Sequence, residues 1–179
     1  ASMSTHLGNG AHGTLRRHPN YIWEQIAADE LTCSLIADGH HLPISVIKTI
    51  IRAKSPERCI LISDITGMGG RPPGKYTSTG LGAVEVLENG RLVVPGQSQL
   101  LAGAALPIGT GIVTLTEKAG LDLGTAVDMA STGPANIIQH ELAPLEVDAA
   151  VDLVFFQIRN GKFEVHTTVN RGRIVYQAS

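Results

Sequence analysis

The sequence predicts an α/β fold built on parallel strands, and three observations carry that prediction. Residues 59–62 are an apolar run without polar alternation, as expected of a strand covered on both faces, and residues 32–37 read as a second strand. Around them the chain reads strand, helix, strand, helix, strand over residues 2–62. That order requires a parallel sheet with right-handed crossovers. Each strand is followed by polar side chains able to do chemistry: His6, then His40 and His41, then Asp64.

Residues 2–6 read as the end of a strand, followed by a loop rich in Gly8, Asn9, Gly10 and Gly13. A short helix is expected over residues 20–28, with Asn20 as N-cap and Tyr21, Ile22 and Ile26 at helical spacing. Trp23 is assigned to the core. The strand at 32–37 runs into Asp38-Gly39-His40-His41. Pro43 then opens a helix whose apolar stripe is Ile44, Ile47, Ile50 and Ile51, ending at Ser55-Pro56. The strand Cys59–Ile62 delivers Asp64 as it emerges. Active groups in parallel α/β proteins collect at the carboxyl ends of strands, so Asp64 is the first candidate for chemistry. Taken alone it suits a turn or a helix cap equally well. His40 reads as a surface or helix-entry residue.

Residues 66–82 hold six glycines and Pro72-Pro73, which predicts a long irregular loop. The glycines match neither GxGxxG nor GxxxxGK[ST], so they are not assigned to phosphate, and an open sheet holding a nucleotide is disfavoured. A hairpin turning at Asn89-Gly90 is expected next, then a return of residues 101–104 to the mouth of the strands. Helices follow over 108–118, stopped by Gly120, over 123–131 behind Asp122, and from Gly133-Pro134 to 138. Strands at 151–156, 163–169 and 173–176 form an antiparallel segment that must pack on something.

The 179 residues suit one domain or slightly more. A formal net charge of -2 with scattered Lys and Arg offers nucleic acid no basic stripe. No apolar run reaches the roughly 18 residues of a membrane span, and no amino-terminal signal is recognisable, so a cytoplasmic protein is expected. Cys33 and Cys59 lie in apolar runs without a CxxC and read as reduced core thiols. Of seven histidines, five fall in the first quarter of the chain: His6, His12, His18, His40 and His41. That clustering marks the region of the site.

Six stretches occur in one order along nearly the whole chain: Thr5-His6-Leu7-Gly8-Asn9, residues 35–41, Leu61-Ile62-Ser63-Asp64, residues 101–104, residues 126–131 with Pro134-Ala135, and the closing segment from Val151 to Tyr176. Together they resemble the carboxyl-terminal part of the amidohydrolase superfamily, most closely its N-acetylglucosamine-6-phosphate deacetylase branch. The resemblance implies the carboxyl-terminal portion, about three strands, of a TIM-like (β/α)₈ metallohydrolase barrel plus a small antiparallel β segment. Residues 1–140 would be the partial barrel, with a β-hairpin insertion near 83–96, and 141–179 part of a small β-sandwich. It further implies that His6 is a metal ligand, His41 contacts the substrate and polarises its carbonyl, and Asp64 is general base and then acid. Asn9 and Gly10 would hold a sugar phosphate with Arg16 or Arg17, of which Arg17 is taken as the candidate. A divalent metal, with zinc the expected ion, lowers the pKa of its water and polarises an amide oxygen, while a carboxylate shuttles the proton.

The sequence departs from the family at Gly8, where a bulky residue is usual, at the extra His12, and at Ala104, where serine is common. The family's first five strands and its other metal ligands have no counterpart. Two readings follow: part of a metal-dependent amidohydrolase acting on the N-acetyl group of an amino sugar or its phosphate, or a catalytically incomplete fragment or assembly module. In either case the unpaired strand edges predict a homo-oligomer or a partner chain that completes the barrel.

Overall fold

Strand-forming Cys, Leu and Ile residues are buried on both faces of a three-stranded parallel sheet, the part of the molecule that positions the candidate site. In this computed structural model, which describes residues 1–178, β1 is Met3–Ser4, β2 is Thr32–Ile36 and β3 is Cys59–Ile62, in the order β1-β2-β3. The register pairs Ser4 with Cys33 and Cys33 with Cys59. Cys33, Leu35, Cys59 and Leu61 join one core with Ile47, Ile50, Ile112, Leu115 and Met129. Alternation puts Ser34, Ile36 and Ile60, all buried, on the other face.

Helix α1 (Tyr21–Ala27) starts at Asn20, whose side chain accepts from the backbone N–H of Ile22 and Trp23. It lies at the surface and buries no residue fully. Trp23 is therefore not a core residue as expected: it is 48% exposed, because only Ile26 of this helix packs against the core. Helix α2 (Ile44–Lys54) behaves as its stripe predicts, burying Ile47, Ile50 and Ile51. Helix α3 (Ile108–Val113) continues as a π-helical turn over Thr114–Ala119, closed by Gly120 in the left-handed region. A Cβ on Gly111 would lie 2.9 Å from Leu61 Cδ1, so the missing side chain lets α3 sit directly on β3. Helices α4 (Leu123–Ala130, capped by Asp122) and α5 (Thr132–Ile137) complete the layer.

The predicted loop at 66–82 is corrected in part. Residues Gly74–Ser78 form β4, which pairs antiparallel with β5 (Gly82–Val86). The expected hairpin joins β5 to β6 (Leu92–Val94), and β7 (Gln97–Leu101) completes a four-stranded sheet. The sequence hid β4 and β7 because they carry few apolar residues; β4 is half-buried at alternate positions and β7 is largely exposed. Its separate core is Val84, Val86, Leu92 and Ala105. Three antiparallel strands, β8 (Leu153–Arg159), β9 (Lys162–Asn170) and β10 (Arg173–Gln177), end the described chain in the order β10-β9-β8. Phe163 of β9 stacks on Phe156 at 4.2 Å and packs over Gly109 of α3, where a Cβ would lie 2.6 Å from its ring.

Candidate functional site

Because β1, β2 and β3 are parallel, their carboxyl ends open on one side, and the segments carrying His6, His41 and Asp64 leave the sheet there. In the register that pairs Cys33 with Cys59, Asp38 and Asp64 occupy equivalent positions beyond β2 and β3. His6 and Asp64 both have left-handed backbones, with φ of 31° and 50°. Non-glycine residues adopt that region rarely, and such residues cluster at functional sites.

β1 hands the chain to the site through Ser34. Its hydroxyl accepts the His6 backbone N–H at 2.7 Å and donates to the Ser4 carbonyl at 3.3 Å, while Leu7 N–H reaches the Ser34 carbonyl at 2.9 Å. The next turn places Gly10 against the His6 ring, 3.4 Å from a built Cβ to Cε1. Among the described residues the buried side-chain polar atoms without a hydrogen-bond partner are Ser4 Oγ, His6 Nδ1 and Asn9 Nδ2. All three fall within residues 4–9. Buried polar groups are normally satisfied, so this concentration sets residues 4–9 apart from the rest of the described chain.

After β2, the DGHH turn is organised by Asp38. Its Oδ1 accepts the backbone N–H of His40 and His41, at 2.9 and 3.0 Å, and its Oδ2 receives His41 Nδ1 at 2.8 Å. The two side chains are only 7% and 8% exposed. Burial opposes ionisation of Asp38, but the His41 contact and the two backbone N–H groups outweigh it and bring the carboxyl down to about 2. His40 turns away, with Nε2 3.0 Å from the Asn89 carbonyl in the β5–β6 turn. His41 lines a cleft of about 420 Å³ with Gly8, Trp23, Ile26 and Leu42.

Asp64 is exposed at the end of β3. Immediately after it, Ile65 forms a parallel bridge to Ala104, and Thr66 donates to the Ala104 carbonyl through both N–H and Oγ1, at 2.9 and 3.0 Å. The segment 101–104 thus lies beside the outlet of β3. Arg16 and Arg17 are exposed, their carbonyls held by Asn20 Nδ2 at 2.9 and 3.2 Å. His12 is tied to the Tyr21 hydroxyl through its backbone N–H and Nδ1. Among the described residues no three of His, Cys, Asp and Glu stand close enough to hold a metal ion. The residue that sequence reasoning passed over is Asp38. Its signal was the Asp-Gly dipeptide ahead of a histidine pair, since aspartate bonds to backbone N–H groups two and three residues on.

No family model matches the chain. It is 31% identical to the N-acetylglucosamine-6-phosphate deacetylase of Vibrio furnissii over 97% of its own length and 42% of that protein's. Against a protein of Escherichia coli (strain K12) named "Putative N-acetylgalactosamine-6-phosphate deacetylase" it is 34% identical, over 74% of this chain and 77% of the relative. The structure superposes on a mutant N-acetyl-D-glucosamine-6-phosphate deacetylase from Mycobacterium smegmatis, solved with N-acetyl-D-glucosamine-6-phosphate, with a TM-score of 0.84 and 25% identity. That match covers 99% of this chain and 46% of the other. The chain thus spans less than half the length of the Vibrio and Mycobacterium proteins. Its sequence identity to the Escherichia coli relative, together with the shared fold, shows that the chain belongs to the N-acetylglucosamine- and N-acetylgalactosamine-6-phosphate deacetylase family of amidohydrolases and matches its carboxyl-terminal part.

Proposed function

We propose that the chain supplies the last three strands of a (β/α)₈ barrel in a metal-dependent deacetylase that hydrolyses the N-acetyl group of an amino sugar phosphate. Residues 1–140 form its share of the barrel and 141–178 its share of a small β-sandwich, Ser179 lying outside the described residues. The observation that carries the reading is the parallel sheet itself, which sends His6, His41 and Asp64 out from the same side. The unsatisfied Ser4, His6 and Asn9 atoms on the same edge support it.

The residues present fit a metal centre in part. His6, with a buried nitrogen lacking a partner, suits one ligand, but structural and catalytic zinc sites use three or four protein ligands and the described residues assemble no such group. The remaining ligands belong to the other barrel strands. When bound, a divalent cation, zinc in this proposal, activates water and polarises the amide oxygen. Asp64 takes the proton of the attacking water and returns it to the leaving amine, His41 meets the acetamido group, and Asn9, Gly10 and Arg17 hold the phosphate.

The second reading, a catalytically silent module, is favoured by the same lack of a ligand cluster, and it describes this chain whenever the other strands are absent. The proposal includes a cytoplasmic location; Cys33 and Cys59 are buried thiols whose sulfurs lie 3.4 Å apart. Among the described residues no helix is long and apolar enough to cross a membrane. Light scattering and metal analysis on one purified sample test the proposal. A discrete complex containing the other barrel strands and about one divalent ion per site is expected; the same complex free of metal overturns the metallohydrolase reading.

A further inference from the structure

We propose that Asp38 is the positioning residue of His41, holding the imidazole proton on Nδ1 so that Nε2 is the nitrogen presented to the substrate. The inference rests on the assignment of His41 to substrate binding made above.

Both carboxylate oxygens are committed. Oδ1 is anchored by the backbone N–H groups of His40 and His41, and Oδ2 meets His41 Nδ1 at 2.8 Å, so the carboxylate cannot rotate without breaking a bond. The turn that brings them together runs through Gly39, with φ of 84°, a conformation that glycine adopts without strain. A carboxyl that titrates near 2 is ionised at neutral pH and can only accept, so the proton between the two groups belongs to Nδ1. An unconstrained imidazole prefers its proton on Nε2. Asp38 therefore selects the less favoured tautomer, and burial of the pair protects that choice from water.

The selection has a chemical consequence. A neutral His41 offers a lone pair at Nε2 and accepts a bond from an amide N–H or a sugar hydroxyl. Donation from Nε2 to the acetyl carbonyl requires the doubly protonated ring, whose charge the Asp38 carboxylate compensates. A neutral histidine alone could not polarise that carbonyl in this geometry.

The test is a long-range ¹H–¹⁵N correlation spectrum of the uniformly ¹⁵N-labelled chain, recorded well above the histidine titration range. His18, exposed, serves as the unconstrained reference. His41 is expected with a protonated Nδ1 and a bare Nε2, opposite to His18. Asp38→Asn keeps Oδ1 on the two backbone N–H groups and turns Nδ2, a donor, toward the ring; the tautomer is expected to invert to Nε2–H. A wild-type His41 protonated at Nε2, or sharing the His18 mixture, overturns the inference, as does retention of Nδ1–H in the Asp38→Asn variant. The wild-type reading needs no variant, so the test survives misfolding of Asp38→Asn. In the completed barrel the same substitution is expected to lower kcat by about 10²–10⁴-fold, the range for carboxylates that orient a functional histidine; an unchanged kcat overturns the positioning role. These outcomes separate from failure of the functional proposal: an Nδ1–H His41 whose replacement by Gln leaves deacetylation unchanged would overturn the substrate-binding reading, not the tautomer.

Discussion

In β2, Cys33 and Leu35 are 0% exposed, whereas in β10 Ile174 and Val175 are 63% and 62% exposed. The first strand belongs to a parallel sheet with a core on both faces; the second is the edge of an antiparallel sheet whose every residue in that strand lies open. The contrast shows where each kind of side chain is kept. The candidate site residues His6, His41 and Asp64 sit just past the ends of the doubly covered strands, where the backbone leaves the core. The antiparallel strands carry apolar surface instead, with Phe155 and Tyr176 also more than half exposed, which suits docking against further chain.

The same truncation to alanine is expected to cost the two regions very different amounts of stability. Leu61→Ala, at a site that is fully buried, is expected to destabilise the chain by about 3 kcal/mol in urea unfolding. Equal losses at Leu61 and at Ile174 would erase the distinction between the two sheets. Acidity acts at the outlet of the parallel sheet. Asp38 has a folded pKa near 2 against 3.8 unfolded, so its contribution of about 2 kcal/mol is complete above pH 3.8 and disappears as pH falls through 2. Wild type is therefore expected to lose stability across that window relative to Asp38→Asn, measured by unfolding at a series of pH values; parallel curves would contradict the buried pair.

At the junction of the two regions, Gly109→Ala places a Cβ 2.6 Å from Phe163 Cγ and forces that ring to move, at an expected cost of about 2 kcal/mol. Loss of the helix α1 cap by Asn20→Ala is expected to cost about 1 kcal/mol, because two backbone N–H groups lose their acceptor. The smallest effect is reserved for Ile174→Ala, within about 0.5 kcal/mol in the isolated chain.

What the sequence revealed follows the same division. β2, α2 and β3 were legible because doubly buried strands and a one-sided helix leave distinct apolar periods, and Asn20 and Asp122 read as caps and act as caps. Strands β4 and β7 were not legible: β7 is almost wholly exposed, and the half-buried face of β4 is made of Gly74, Tyr76 and Ser78, which show no apolar alternation. Trp23 was misread because hydrophobicity alone does not tell a core residue from one lining a cleft beside His41. At the site, single residues could be nominated from motif order, but the Asp38–His41 pair depends on a turn geometry that fixes both carboxylate oxygens, and side-chain pairing of that kind leaves little trace in a linear pattern.

Deacetylation at these strand ends, as proposed, depends on the Asp64 carboxylate. Acetate release from N-acetylglucosamine-6-phosphate and N-acetylgalactosamine-6-phosphate should be measured in the protein that joins this chain to the remaining barrel strands, as wild type and as Asp64→Asn. Turnover is expected in the wild type, with a fall in kcat of about 10²–10⁴-fold in the variant and the fold unchanged. Undiminished turnover by Asp64→Asn would contradict that dependence.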